Sequence, residues 1–139
     1  MKYKNGLIAG AFDIIHPGYI YMFKRAKFDC QQLTIALHEN PKLERTYKLK
    51  PILPLEDRKL IIESIKYVDN VIVYKKESEL IEVLGSGKYD LRILGSDYIG
   101  KSHSGDYLGI PVLYTERCHG YSTTMLKEMI YEQVLSIKK

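Results

Sequence analysis

The sequence predicts an α/β fold: a five-stranded parallel sheet with helices on both sides. Short apolar runs alternate with helix-period segments along the chain. The runs are apolar throughout, as strands buried on both faces are. Helical segments between them imply right-handed crossovers, and hence parallel pairing.

The elements follow in order. Gly6 to Phe12 (GLIAGAF) is a short apolar run ending in a turn, and predicts a buried strand. Residues 18–28 carry Ile20, Phe23 and Ala26 at helical spacing. Residues 33–37 (LTIAL) predict the second strand. Residues 39–54 are polar and basic and hold Pro41, Pro51 and Pro54, which predicts a long loop. Residues 55–68 predict a helix with Leu55, Ile61, Ile65 and Val68 on one face and Glu56 and Asp57 in the first turn. Residues 71–74 (VIVY) predict the third strand, and 78–84 a short helix capped by Ser78. Residues 91–94 (LRIL) predict the fourth strand, 98–109 a loop, and 110–114 (IPVLY) the fifth strand. Residues 122–137 close as a helix with Leu126, Ile130, Val134 and Ile137 on its inner face.

The chain has 139 residues, the size of one domain that buries a real core, with 45% hydrophobic residues. Lys and Arg total 21 against 17 Asp and Glu, a net charge of +4. That balance suits a small phosphate-bearing ligand and is too weak for duplex DNA. No apolar run reaches the roughly 18 residues of a membrane span. The opening MKYKNGLIAG lacks the pattern of a signal peptide. Two cysteines, Cys30 and Cys118, form no disulfide framework and fit a reducing cytoplasm.

In such a sheet, ligands bind beyond the carboxyl ends of the strands. The segment after the first strand, Gly10 to Tyr19 (GAFDIIHPGY), opens a helix. Pro17 suits its first turn, and Gly18 lets a ligand approach the backbone. Free N–H groups at that helix start attract phosphate, with His16 as a donor at the mouth. A helix-capping role for His16 is the plainer alternative. After the fifth strand comes RCHGYSTT, residues 117–124. Ser122 or Thr123 can cap the last helix or bind phosphate, and Arg117 adds a permanently charged fork. The third basic segment, Arg45 to Pro51 followed by Arg58, supplies lysines that can close over a triphosphate. Arg92 lies inside the fourth strand and is expected to point away from the ligand edge. Asp13 either orients a neighbouring donor or caps the turn. His38 ends the second strand, and His103 is expected to be solvent-exposed. The spacing of His16, His38, His119 and Asp13 matches no local zinc motif, and Cys118 has no dyad partner.

These motifs together resemble the small nucleotidyltransferases of the glycerol-3-phosphate cytidylyltransferase type, which have a Rossmann-like fold. The chain reads GAFDIIHPGY, KLKPILPLEDRK, KYVD, LGSDY and RCHGYSTT in the family's order, over about nine-tenths of its length. The resemblance implies one nucleotidyltransferase domain over residues 1–139. It implies transfer of CMP from CTP to a small phosphomonoester such as glycerol 3-phosphate, with release of pyrophosphate. An adenylyltransferase using ATP and a non-catalytic nucleotide-binding module are the alternatives.

By the same resemblance, Ala11 and Phe12 contact the nucleotide through their backbone. His16, Lys50 and Arg117 are the implied catalytic residues. Tyr19, Asp97, His119, Gly120, Tyr121, Ser122, Thr123 and Thr124 join them around the nucleotide. Lys48 and Arg58 are assigned to the second substrate. Mg²⁺ is implied with the triphosphate, no protein-held metal is expected, and a cytoplasmic homodimer is implied. Tyr19 stands where the family has its second signature His, so His119 beside Arg117 is a candidate for the missing donor. Nucleic acid is not an expected partner, because the basic residues cluster at one small-ligand edge.

Overall fold

A computed structural model describes residues 2–117 and 119–138. Its strands are β1 (Tyr3–Gly10), β2 (Cys30–His38), β3 (Asn70–Tyr74), β4 (Leu91–Gly95) and β5 (Val112–Thr115). Its helices are α1 (Pro17–Asp29), α2 (Leu55–Glu63), α3 (Glu77–Leu84) and α4 (Thr123–Lys138). The strands form one parallel sheet in the order β3-β2-β1-β4-β5. The strand order reverses at β1, so the crevice beyond the carboxyl ends of β1 and β4 is where an α/β sheet takes a ligand.

The central strands bury both faces, which is why their sequences are apolar without alternation. Ile8, Ile35 and Ile93 pack with Phe23, Ala26 and Ile62 of the helices on one side. Leu7, Ala36 and Tyr74 pack with Leu80 and Leu84 of α3 on the other. Close packing explains Gly6: a Cβ there would meet Cys30 Sγ at 3.0 Å and Ile93 Cδ1 at 3.2 Å. Carboxylates fasten the strand starts. Asp90 accepts the N–H groups of Lys4 and Asn5, which hold its carboxyl below the usual range. Asp69 of KYVD accepts from the Leu33 N–H and from Lys27, so this motif joins β2 to β3.

Several sequence expectations change. β1 and β2 begin three residues earlier than their apolar runs, because ladder bonds extend through polar Tyr3–Asn5 and Cys30–Gln32. Helix α2 stops at Glu63, and its buried positions are Arg58 and Ile62, not Ile61. Positions 55, 58 and 62 follow the helical period, and a buried charge disguised that face. Ser78 caps nothing: α3 begins at Glu77, and Glu79 instead reaches back to accept the Lys75 N–H. The expected inner face of α4 is uncovered, with Ile130 53%, Val134 45% and Ile137 84% exposed. From Glu128 onward every described residue of α4 is exposed. No helix is long and apolar enough to cross a membrane among the described residues.

Candidate functional site

One cleft of about 800 Å³ runs along the carboxyl ends of the strands, bordered by the starts of α1 and α4 and by the loops after β2 and β4. That volume lies in the range of small-molecule sites.

Its middle is built from GAFDIIHPGY. Phe12 has φ +47, the left-handed region that favours glycine, and among the described residues no other non-glycine side chain adopts it. The turn folds the Phe12 ring back over Gly10, 3.0 Å from where a Cβ would stand. The ring then packs edge-on against Tyr19 and Phe23. This sparsely populated backbone costs on the order of 1–3 kcal/mol and is held by its surroundings. It leaves Ala11 and Phe12 bordering the cleft.

Asp13, 4% exposed, accepts from the N–H groups of Ile52 (2.6 Å) and Leu53 (2.8 Å) and from Lys127 Nζ (2.6 Å). Burial opposes its ionisation, yet these donors together hold its carboxyl below the usual range. Of the two expected roles it performs the first: it positions Lys127 at the cleft and anchors the loop before α2.

His16 is the N-cap residue of α1 but makes no capping bond. It is 5% exposed and stacked on Tyr19, with ring centroids 4.0 Å apart. Neither ring nitrogen has a partner among the described residues. Burial, then the charges of His119 and Arg117, push its pKa below the ordinary value, which favours the neutral ring. Two unpaired buried nitrogens facing a cleft are what a ligand would satisfy.

His119 comes from the other end of the sheet. Its Nδ1 accepts the Tyr121 N–H at 2.9 Å, which places the proton of the neutral ring on Nε2. A Cβ on Gly18 would lie 2.4 Å from His119 Cε1 and 2.8 Å from His16 Cε1. Glycine at 18 therefore admits two imidazoles to one helix start.

Tyr19 borders the cleft, as expected, but its phenol is engaged within the protein. Thr123 Oγ1 donates to the Ile14 carbonyl, so its 2.9 Å bond with Tyr19 takes the phenol proton. That pair ties α1 to α4. Ser122 Oγ caps α4 by accepting the Met125 N–H at 3.1 Å. Ser122, Thr123, Thr124, Lys127 and His119 all border the cleft at this positive helix end, beside Tyr121 stacked on His16. Gly120, at φ +78, makes the turn that precedes it. Arg117 pairs with Asp97 at 3.5 Å, both half-exposed. A Cβ on Gly95 would stand 2.6 Å from Asp97 Oδ1 and 2.9 Å from Arg117 Cδ, so a side chain there would displace this half-exposed pair.

Four residues lie elsewhere than expected. Arg58, assigned to the second substrate, is 2% exposed and donates to the carbonyls of Leu53, Ala11, His38 and Glu39. With four N–H groups committed to backbone, it is a clamp behind the cleft. Lys48 borders the cleft, but Lys50 borders a neighbouring groove with Asn40 and Ile52. Arg92, expected to point away, lines the cleft, because its position in β4 faces the side covered by α3. His103 also lines the cleft, and its buried Nδ1 has no partner among the described residues. Cys118 lies outside the described residues.

Sequence reading missed Lys127, Tyr74 and Glu77. Lys127 was accessible in principle, being four residues after Thr123 on the same helix face. His38, at the end of β2, stacks on Tyr74 at 4.5 Å and bonds the Lys75 carbonyl.

A parallel sheet whose cleft gathers two imidazoles, Arg117, Lys127 and two helix starts has the chemistry of a polyphosphate-binding protein. The cytidylyltransferase-like family model matches residues 7–129, and the chain belongs to that nucleotidyltransferase family. It is 33% identical to the glycerol-3-phosphate cytidylyltransferase of Bacillus subtilis over 129 residues, 91% of this chain and 97% of that protein. It is 31% identical over 126 residues to the bifunctional protein HldE of Paramagnetospirillum magneticum. That match spans 87% of this chain but only 26% of the HldE protein. In three dimensions it is similar to the lipopolysaccharide core biosynthesis protein from Thermoplasma volcanium, at TM-score 0.64 and 25% identity. The match covers 81% of this chain and 94% of that one.

Proposed function

We propose that the protein transfers CMP from CTP to a small phosphomonoester such as glycerol 3-phosphate, releasing pyrophosphate. The observation that carries the reading is His16, buried among the cations of a cleft made by two helix starts, with no partner on either nitrogen among the described residues. The B. subtilis relative, matched over nearly its whole length, supports the choice of CTP and glycerol 3-phosphate.

An oxygen of the acceptor phosphate attacks the α-phosphorus in line. The bond from that phosphorus to the bridging oxygen breaks, and pyrophosphate leaves with the electron pair. Charge then grows on oxygens beside His16, and its neutral ring donates one N–H there. His119 donates from Nε2, replacing the donor that Tyr19 has committed to Thr123. Lys127 and Arg117 hold the leaving phosphates at the start of α4. Lys48, which borders the cleft, binds the acceptor's phosphate. The rate then comes from positioning and charge neutralisation.

Bound with the triphosphate, Mg²⁺ would neutralise part of its charge. Among the described residues no three His, Cys, Asp or Glu side chains converge on a metal position. Asp13 is committed to Lys127, and Asp97 to Arg117.

The protein is further proposed to be a homodimer, a reading supported by the uncovered apolar side chains of α4, and light scattering at the monomer mass would refute it. For the reaction, pyrophosphate release with each of the four nucleoside triphosphates and glycerol 3-phosphate is the test. CTP is expected to be preferred. Nucleotide binding without release under every condition would overturn the transfer reading.

A further inference from the structure

Asp13 is a buried carboxylate that the chemistry above does not use, and it joins two parts of the cleft. It is 4% exposed. Its Oδ2 accepts both from Lys127 Nζ and from the Ile52 N–H, each at 2.6 Å, and its Oδ1 accepts from the Leu53 N–H at 2.8 Å. Among the described residues Lys127 is the one cation paired with it. One side of this junction is α4, and the other is the loop before α2.

On the α4 side, the Lys127 side chain is 14% exposed and borders the cleft with Thr123 and Thr124. Its ammonium carries three donors, so the contact with Asp13 leaves donors for a polyphosphate at the helix start. On the loop side, Ile52 and Leu53 end the basic segment. Pro51 and Pro54 bracket them, and the proline rings fix the backbone there. Arg58 Nε donates to the Leu53 carbonyl at 3.0 Å. Residues 46–50 are exposed, and Lys48 among them borders the cleft. An exposed stretch of this kind takes its position from its anchors. Its other anchor is Glu44, which accepts the Glu77 N–H of α3 at 2.8 Å.

We propose that Asp13 is a positioning residue that couples the two substrates: phosphate on Lys127 steadies Asp13, Asp13 steadies Ile52 and Leu53, and the loop thereby sets Lys48 for the acceptor. The inference rests on the transfer reading above, which puts Lys127 on the leaving phosphates. Phosphate, lysine, carboxylate and backbone N–H alternate in charge along this route. A lysine held from one side by phosphate has already lost most of its rotamer freedom. Its contact with Asp13 then forms at less entropic cost, and so do the two N–H bonds to the same carboxylate. Binding free energies are linked, so the acceptor tightens the nucleotide by the factor with which the nucleotide tightens the acceptor.

The test reads amide exchange at Ile52 and Leu53 by NMR in the whole protein, free and saturated with the α,β-methylene analogue of CTP. Calorimetry gives glycerol 3-phosphate affinity in the same two states. In the wild type the analogue is expected to slow exchange at both amides about fivefold or more, with the Glu77 amide little changed. Glycerol 3-phosphate is expected to bind tighter by a similar factor. Lys127→Arg should keep both effects, and Lys127→Met should lose both at concentrations of analogue that saturate it. Lys127→Met strands a buried carboxylate, so its combination with Asp13→Asn carries the test should the single variant fold poorly. Wild-type amides that ignore the analogue, or equal slowing in Lys127→Met or in the double variant, would overturn the proposal. So would slowing that spreads equally to Glu77, the mark of a general closure of the cleft. The exchange reading needs no acceptor, so it decides the matter even where glycerol 3-phosphate does not bind. Pyrophosphate release is followed in parallel. Slowing without release removes the transfer reading and leaves the coupling, whereas release without slowing does the reverse.

Discussion

Two buried arginines stand on opposite sides of the cleft wall. Arg58, behind it, is surrounded by carbonyls and donates to four of them. Arg92, lining it, donates to one carbonyl and keeps an unpaired Nε. Burial lowers the pKa of both, and nearby carboxylates offset it in each case. The histidines repeat the contrast. His38 bonds the Lys75 carbonyl, while His16 bonds nothing among the described residues. A satisfied buried polar group holds a fold together, whereas an unsatisfied one beside a cleft is held ready for a ligand.

The largest expected effect breaks the satisfied side. Arg58→Met strands carbonyls at the ends of β1 and β2, each worth about 1–3 kcal/mol before relaxation. Urea denaturation should show a loss of about 3–5 kcal/mol, with nucleotide affinity per folded molecule little changed. A loss below about 1 kcal/mol would refute the clamp.

The unsatisfied side should answer the other way. His16→Ala is expected to lower turnover about 10²-fold or more. Stability should fall by less than Arg58→Met costs, because packing on Tyr19 and Tyr121 is lost but no hydrogen bond is. A variant that unfolds while the surviving fraction turns over normally would make His16 structural.

Arg117→Ala should weaken triphosphate binding by about 1.5–3 kcal/mol, the loss of a charge-assisted contact. Arg92→Leu should leave that affinity nearly unchanged. Equal losses in calorimetry would place both arginines on the nucleotide.

Tyr19→Phe removes a bond to Thr123 worth about 1 kcal/mol of stability. If His119 is the working donor, turnover should survive Tyr19→Phe and Tyr19→His and fall with His119→Ala. The opposite ranking returns the donor role to Tyr19.

The smallest effect is in pH. His16 and His38 are both held below the ordinary imidazole value of 6.5, chiefly by burial. The unfolded chain then binds protons more readily than the folded one. Their contribution to stability is intact above 6.5 and is lost as pH falls below it. Urea midpoints measured on either side of that value should drop toward acid, and His16→Phe should flatten the slope. Phosphate beside His16 favours its charged form, so nucleotide binding should take up protons in the same window.

The sequence by itself determined the sheet. Uninterrupted apolar runs such as LTIAL and LRIL require burial on both faces, and the segments between them leave little besides parallel crossovers. It also determined which segments reach the cleft, since GAFDIIHPGY and RCHGYSTT follow β1 and β5. Gly18 was legible as a close approach, although what approaches it, the imidazoles of His16 and His119, was not. Only the tertiary structure decided which polar groups are spent and which are free. Arg58 and Arg92 look alike in sequence, one in a helix face and one in a strand. Whether an N–H finds a carbonyl depends on backbone contributed by distant segments: Ala11, His38 and Glu39 for Arg58, and Ser104 for Arg92. Tyr19 and Lys127 are bound by the same rule, because their partners Thr123 and Asp13 lie more than a hundred residues away along the chain. Periodicity records local burial, but hydrogen-bond satisfaction is a property of the assembled chain.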